Sequence, residues 1–214
     1  DSLKDFEPVG LIYDAPLLLL VNSSVPVNSF KELLAYLKAH PDKLSYSSPG
    51  VGSVSQLAMT ELMRRTGTKM IHVPSQGSVR SLTDLAAGFV QVSFDTITAS
   101  EPFLASGKVK ALAVSSKERV SRLPNVPTIA ESGIPDFDLV PWVGLLAPAG
   151  TPKDLVDKVS LELAKIVRSE KFTKSLSVLG LRPLSSTAPE FKVFLRTEMK
   201  RWASVIRNSG IKPE

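Results

Sequence analysis

Between Leu44 and Arg65 (LSYSSPGVGSVSQLAMTELMRR) the polarity pattern changes period across one glycine-rich turn, and that change limits what the chain can build. Leu44, Tyr46 and Ser48 alternate with Ser45 and Ser47, which predicts a short strand. Pro49, Gly50, Val51 and Gly52 break regular structure. Ser53 and Gln56 then have capping-box spacing, in which each side chain satisfies a free amide at a helix start. Val54, Leu57, Ala58 and Leu62 follow at helical spacing and give that helix one buried face. A strand, a glycine turn and a capped helix in this order aim unpaired N–H groups and the positive end of a helix at one point. Two readings are open there: an anion site, or a well-made turn without a ligand.

The familiar phosphate loops do not fit. A dinucleotide fingerprint beginning at Gly50-x-Gly52 needs glycine at position 55, where Ser55 stands, and no Gly-Lys-Ser/Thr tripeptide occurs. A carboxylate therefore suits this turn better than a nucleotide. The amides of Gly52, Ser53 and Val54 are its expected donors.

Charge and composition narrow the partners. The 214 residues, 43% hydrophobic and 22% charged, suffice for one large domain or two small ones. A net charge of +5 favours small anions, but Lys and Arg are scattered without a basic run or basic–aromatic ladder, so no nucleic acid is expected. The absence of cysteine excludes disulfides, thiolate nucleophiles and zinc–thiolate sites. With only His40 and His72, a histidine metal cluster or histidine-based triad has little support, and no metal or other cofactor is expected. No apolar run approaches the ~20 residues that span a bilayer, so the chain is not expected to be membrane-embedded.

In chain order, residues 10–22 predict one or two buried strands, interrupted near Asp14 and Pro16. Ser29 and Glu32 cap a helix that buries Phe30, Leu33, Leu34 and Leu37 and ends at Pro41. After the opening motif come a strand at 69–73, the polar turn 74–77, a helix stopping at Gly88, a strand through Val90, Val92 and Phe94 to Asp95, a helix over 101–105 and a strand at 109–114. This alternation predicts a parallel sheet, with ligands beyond its carboxyl strand ends. The polar stretches 47–53, 74–77 and 95–98 are such ends and outline one site, with Ser47, Ser48, Gly50, Gly52, Ser53, Val54, Ser75, Asp95 and Thr96 as its candidate ligand contacts.

Beyond 116 the chain is irregular, with a short helix expected near 128–132, and a long apolar strand follows at 139–147. Thr151 is the expected N-cap, with Pro152 at the first helical position, of a helix burying Leu155, Val159, Leu163 and Ile166. Helices over 171–179 and from Thr187 follow, the last burying Phe191, Phe194, Leu195, Trp202, Val205 and Ile206. These helices need an apolar sheet to cover, yet only 181–184 offers a strand after 148. Either they pack on one another or part of their sheet lies outside this chain.

Asp5-Phe-x-Pro-Val9, Ser47-x-x-Gly-x-Gly-Ser53, His72-Val-Pro74, Asp84-Leu-x-x-Gly88 with Phe94-Asp95, Ala111-Leu-Ala-Val114, Leu123-Pro-Asn-Val-Pro-Thr128, Glu131-Ser-Gly133 and Trp142-x-Gly-Leu-Leu-Ala-Pro-x-Gly-Thr-Pro152 occur in this order. Together they resemble the periplasmic solute receptors of the tripartite tricarboxylate transporter system, the Bug-type receptors. The resemblance implies an α/β, two-lobed type II periplasmic-binding-protein fold with one lobe complete and the other partial. Residues 1–13 would be a remnant of the first lobe, 14–144 the second lobe with its gripping loop Ser47–Ser53, and 145–214 the C-terminal helical part of the first. An N-terminal segment carrying the rest of that lobe, with a second gripping loop, would lie outside the chain. The implied function is a periplasmic receptor that captures a small carboxylate (a dicarboxylate, aromatic acid or amino acid) and delivers it to membrane transporter subunits. Two positions depart from the family pattern, Ser75-Gln76 for an aromatic–basic pair and Gln56 for histidine.

Asp95 is open to three readings: a base, a contact for a ligand amine or hydroxyl, or a cap for the next helix. His72 reads as a satisfied structural histidine, and Trp142, on the return strand, as hinge packing, with a cleft-facing position as the alternative. Glu61, Glu101 and Glu131 read as solvated. An enzyme reading lacks a nucleophile–base pair, since Ser53 has no histidine within sequence reach. A regulator's effector-sensing domain is the remaining alternative.

Overall fold

The computed structural model describes residues 3–211 of the chain, and residues 1–2 and 212–214, the outer ends of the first and last expected segments, lie outside the described residues. Two compact units form. The first comprises the residues up to Ala15 with Pro141–Ser204, and the second Pro16–Val140 with the described residues from Val205 onward.

The first unit holds a three-stranded antiparallel sheet, in which β1 (Phe6–Asp14) lies between β7 (Trp142–Pro148) and β8 (Arg182–Pro183). Helix α5 (Lys153–Arg168) packs on β1, and its Leu163 comes so close that a Cβ on Gly10 would stand 3.1 Å from it. Helices α6 (Glu170–Val178) and α7 (Ala188–Ser209) follow. Phe191 and Phe194 of α7 meet the Trp142 indole edge-on, and buried Glu198 accepts the indole N–H groups of Trp142 (3.1 Å) and Trp202 (2.9 Å). Trp142 is thus a packing residue of this unit.

The second unit is built on a five-stranded sheet. Its strands are β2 (Leu17–Asn22), β3 (Ser45–Ser48), β4 (Ile71–Pro74), β5 (Val92–Thr96) and β6 (Val109–Val114), ordered β4-β3-β5-β2-β6. Helices α1 (Phe30–Ala39), α2 (Val54–Thr66), α3 (Ser78–Ala87) and α4 (Ile97–Ala105) connect them. Leu18 and Leu20 of β2 pack with Leu82 and Leu85 of α3 and Ile97 of α4 in one core. The expected all-parallel sheet is corrected. β2 runs antiparallel to both neighbours, β5 and β6. Leu17–Asn22 is buried throughout, and a strand buried on both faces carries no alternation that would mark its direction.

Several local expectations also change. Helix α4 begins at Ile97, four residues before the expected Glu101, because Thr96 caps it through the Ala99 amide at 3.4 Å. No helix forms at 128–132. Thr128 and Glu131 exchange capping bonds of 2.8 and 2.9 Å, but the chain turns at Gly133, whose φ is +112°. Pro152 itself is the N-cap of α5, one residue after Thr151, whose hydroxyl donates to the Pro148 carbonyl. The buried stripe of α5 is Val156, Ser160 and Val167, while Leu155, Val159 and Ile166 are 40–54% exposed. In α7, Ile206 is likewise exposed. The three glutamates expected to be solvated all have partners: Glu61 with Arg64 and Arg65, Glu101 with Arg122, and Glu131 with Arg119.

Candidate functional site

Parallel pairing of β4, β3 and β5 brings Pro74, Ser48 and Thr96, their last residues, to one edge of the sheet. Backbone bonds tie the turns beyond them together: Ser75 N–H donates to the Ser48 carbonyl at 2.9 Å, and Gly77 N–H to that of Pro49 at 2.8 Å. Beneath them Ser47 is buried. Its hydroxyl donates to the Ser81 carbonyl and accepts from the Ser81 hydroxyl at 2.7 Å, while Ser93 donates to the Ser47 carbonyl. Ser47 thus fastens β3 to α3 and β5.

The glycine turn is held by a closed set of hydrogen bonds. Gln56 Oε1 accepts the Gly52 N–H at 2.7 Å, so the other end of the amide, its NH2, faces His72 Nδ1 at 3.0 Å and donates to it. The ring proton therefore sits on Nε2, which donates to Ser48 Oγ at 2.8 Å. Ser48 in turn donates to the Gly50 carbonyl at 3.0 Å, and Ser53 donates to the same carbonyl at 2.7 Å while accepting the Gln56 amide. Tyr46 stacks on the ring with centroids 4.8 Å apart. Burial pushes the His72 pKa below its usual 6.5, favouring the neutral ring that this pattern needs.

That Ser48–His72 pair has the spacing of a nucleophile and base, but its proton is in the wrong place. A base needs the lone pair of Nε2, whereas here Nε2 is the donor and Ser48 is fully buried.

The capping of α2 leaves fewer donors than the sequence suggested. Gly52 N–H goes to Gln56, and Ser53 N–H points at the Gly50 carbonyl at 3.3 Å. Among the described residues, no acceptor meets the amides of Val54 and Ser55 at the positive end of the thirteen-residue helix. Gly52 is exposed and has φ +76°, a conformation that side-chain-bearing residues adopt at a cost.

Asp95 does not cap α4, a task that falls to Thr96. Its Oδ1 accepts the Thr96 N–H at 2.8 Å, and its buried Oδ2 has no hydrogen bond of proper geometry. Burial raises its pKa above the usual 3.8, opposed by the Thr96 amide and by nearby hydroxyls, that of Ser78 among them. Ser75, at the end of β4, is half-buried. The structure thus gathers all nine candidate residues at or just under these strand ends. The roles of Ser78, Ser81 and Ser93, and the partners of His72, were not readable, because each bond joins residues 12 to 46 positions apart with no motif spacing.

The first unit offers a hollow of about 380 Å³ lined by Glu7, Lys153, Asp157 and Lys192, but these four charges pair off as Lys192–Glu7 and Lys153–Asp157. No group of three or more metal-ligating side chains occurs among the described residues, and no helix there is long and apolar enough to cross a membrane.

A sequence model described as the tripartite tricarboxylate transporter family receptor matches residues 1–211. BugT of Bordetella pertussis is 32% identical over 211 residues, 98% of this chain but only 64% of BugT. Rpa4515 of Rhodopseudomonas palustris, solved with adipate, superposes with a TM-score of 0.90 at 34% identity, over all of this chain and 72% of that one. MatC of the same organism, solved with malate, gives 0.80 at 32% identity, over 95% of this chain and 70% of that one. The chain thus spans less than two thirds of the length of the curated relative.

Proposed function

Because the chain belongs to the tripartite tricarboxylate transporter receptor family, we propose that it is a periplasmic solute receptor that captures a small carboxylate between two lobes and delivers it to membrane transporter subunits. The observation that carries this reading is the pair of unmet amides, Val54 and Ser55, at the start of α2 beside three adjoining polar strand ends. A carboxylate there accepts charge-assisted hydrogen bonds from a helix end worth roughly 0.3–1 kcal/mol when exposed and up to ~2 when partly buried. Asp95 Oδ2 is the acceptor left for a hydroxyl or ammonium group on the same ligand. Relatives bound to adipate and malate support a dicarboxylate over an aromatic acid or amino acid. The reversed proton between His72 and Ser48 supports binding without turnover.

The test is calorimetry and thermal melting with adipate, malate, an aromatic acid and an amino acid. A dicarboxylate present at a hundred times its Kd is expected to stabilise the protein by about 2.7 kcal/mol. Turnover of any of these compounds, at a rate dependent on Ser48 or Asp95, would overturn the receptor reading.

A further inference from the structure

We infer that His72, acting through Gln56 and Ser48, is the positioning residue that holds the glycine turn in its anion-receiving shape, and that protonating its ring releases the turn. The inference rests on the carboxylate-receptor reading for its functional half only.

The hydrogen-bond directions leave no slack. If Nδ1 takes a proton, it confronts the Gln56 NH2, two donors 3.0 Å apart. Rotating the Gln56 amide would relieve that clash but would set the NH2 against the Gly52 N–H, now 2.7 Å from Oε1. Without rotation Gln56 loses its anchor on the ring, and with rotation the turn loses its bond to Gln56. Gly52 stands in a left-handed conformation between the ring-linked Gln56 and the amides of α2, so its release moves the donors a carboxylate would meet. Tyr46 is the titratable group stacked on the ring, and burial raises its pKa, so it stays neutral. The charged residues of α2, Glu61, Arg64 and Arg65, pair with one another farther along that helix, and Arg80 of α3 pairs with Asp84. Burial, and no charged partner among the described residues, accounts for the direction of the ring's shift.

Two variants separate positioning from mere packing. Glutamine at position 72 can accept from Gln56 and donate to Ser48 without titrating. Glutamate at position 56 accepts both the Gly52 N–H and a proton-bearing Nδ1, so Gln56→Glu moves the ring's midpoint upward.

The experiment is nitrogen-15 NMR of the intact protein from pH 8 to pH 5, following the His72 ring and the Gly52 amide. Expected are an Nε2–H ring at pH 8 and a Gly52 amide whose shift and hydrogen exchange follow the ring's own midpoint. Gln56→Glu is expected to raise that midpoint, and His72→Gln to leave Gly52 insensitive to pH. With adipate as probe, affinity is expected to fall about tenfold per pH unit below the midpoint, relative to His72→Gln, as one linked proton requires. An Nδ1–H ring at pH 8, or a Gly52 amide indifferent to the ring's titration, would overturn the inference. Failure of adipate and malate to bind at any pH would instead count against the receptor reading, while the ring and the amide still decide this one.

Discussion

At Gly144 an added Cβ would stand 2.3 Å from the tip of the Phe191 ring, which is fully buried and itself braced by Trp142. The buried ring has to shift to make room, so Gly144→Ala is expected to cost about 1–3 kcal/mol, read as a lower urea midpoint. Gly52 is constrained differently. Nothing lies within 4 Å of its missing Cβ, but its φ of +76° strains any β-branched residue. Gly52→Val is therefore expected to weaken dicarboxylate binding more than Ser53→Ala, which removes one cap worth ~1 kcal/mol. Calorimetry giving the reverse order would argue against capture by the backbone. Asp95 carries the opposite bargain. A carboxylate raised in pKa by burial favours folding below its unfolded value, and that contribution is lost as pH rises through the folded value. Asp95→Asn is thus expected to raise the neutral-pH melting temperature of the ligand-free protein by a few degrees, roughly 2–4 °C per kcal/mol for a domain of this size. It should also weaken malate more than adipate. That Thr96 and not Asp95 caps α4 was beyond reading, since both are good caps and only the backbone chooses between neighbours.

Helix α5 shows why elements are easier to find than to orient. Its existence followed from Pro152 and the apolar spacing, but a second stripe one residue along also carries valines, at 156 and 167, and the two differ by a rotation of about 100°. The sheet takes Val156 and Val167 and leaves Leu161 and Ile166 61% and 54% exposed. Replacing Leu161 and Ile166 by lysine is expected to leave the unfolding free energy read from urea within the ±0.5 kcal/mol typical of surface changes and to reduce light scattering. Val167→Ala should cost on the order of 2 kcal/mol. Strand β2 repeats the lesson. Its burial was legible from five consecutive apolar residues, its direction was not. The α2 joint was legible down to its cap, because a change of period, two glycines and a capping box are all local signals.

For the molecule as a whole, His72 sets one slope of stability against pH. Its folded pKa lies below the unfolded 6.5, so its contribution is full above 6.5 and is lost as pH falls from there through the folded value. A melting temperature that declines over that window, and does so less in His72→Gln, is the expected result. Asp95 acts in the opposite sense. The two-unit plan adds a constraint that is about time. Strand β1 is made well before its partner β7, so Phe6 waits for Pro148 and Asp14 for Trp142, while the second unit is synthesised and can fold in between. At translation rates of about 5–20 residues per second that wait is on the order of ten seconds. For that interval Val9 and Leu11, buried in the finished fold, have no β7 to lie against, with Pro8 and Pro16 as the nearest breaks against mispairing. A ribosome-bound chain stopped before residue 142 should therefore present β1 to a chaperone, and one long enough to carry residue 148 clear of the ribosome should not.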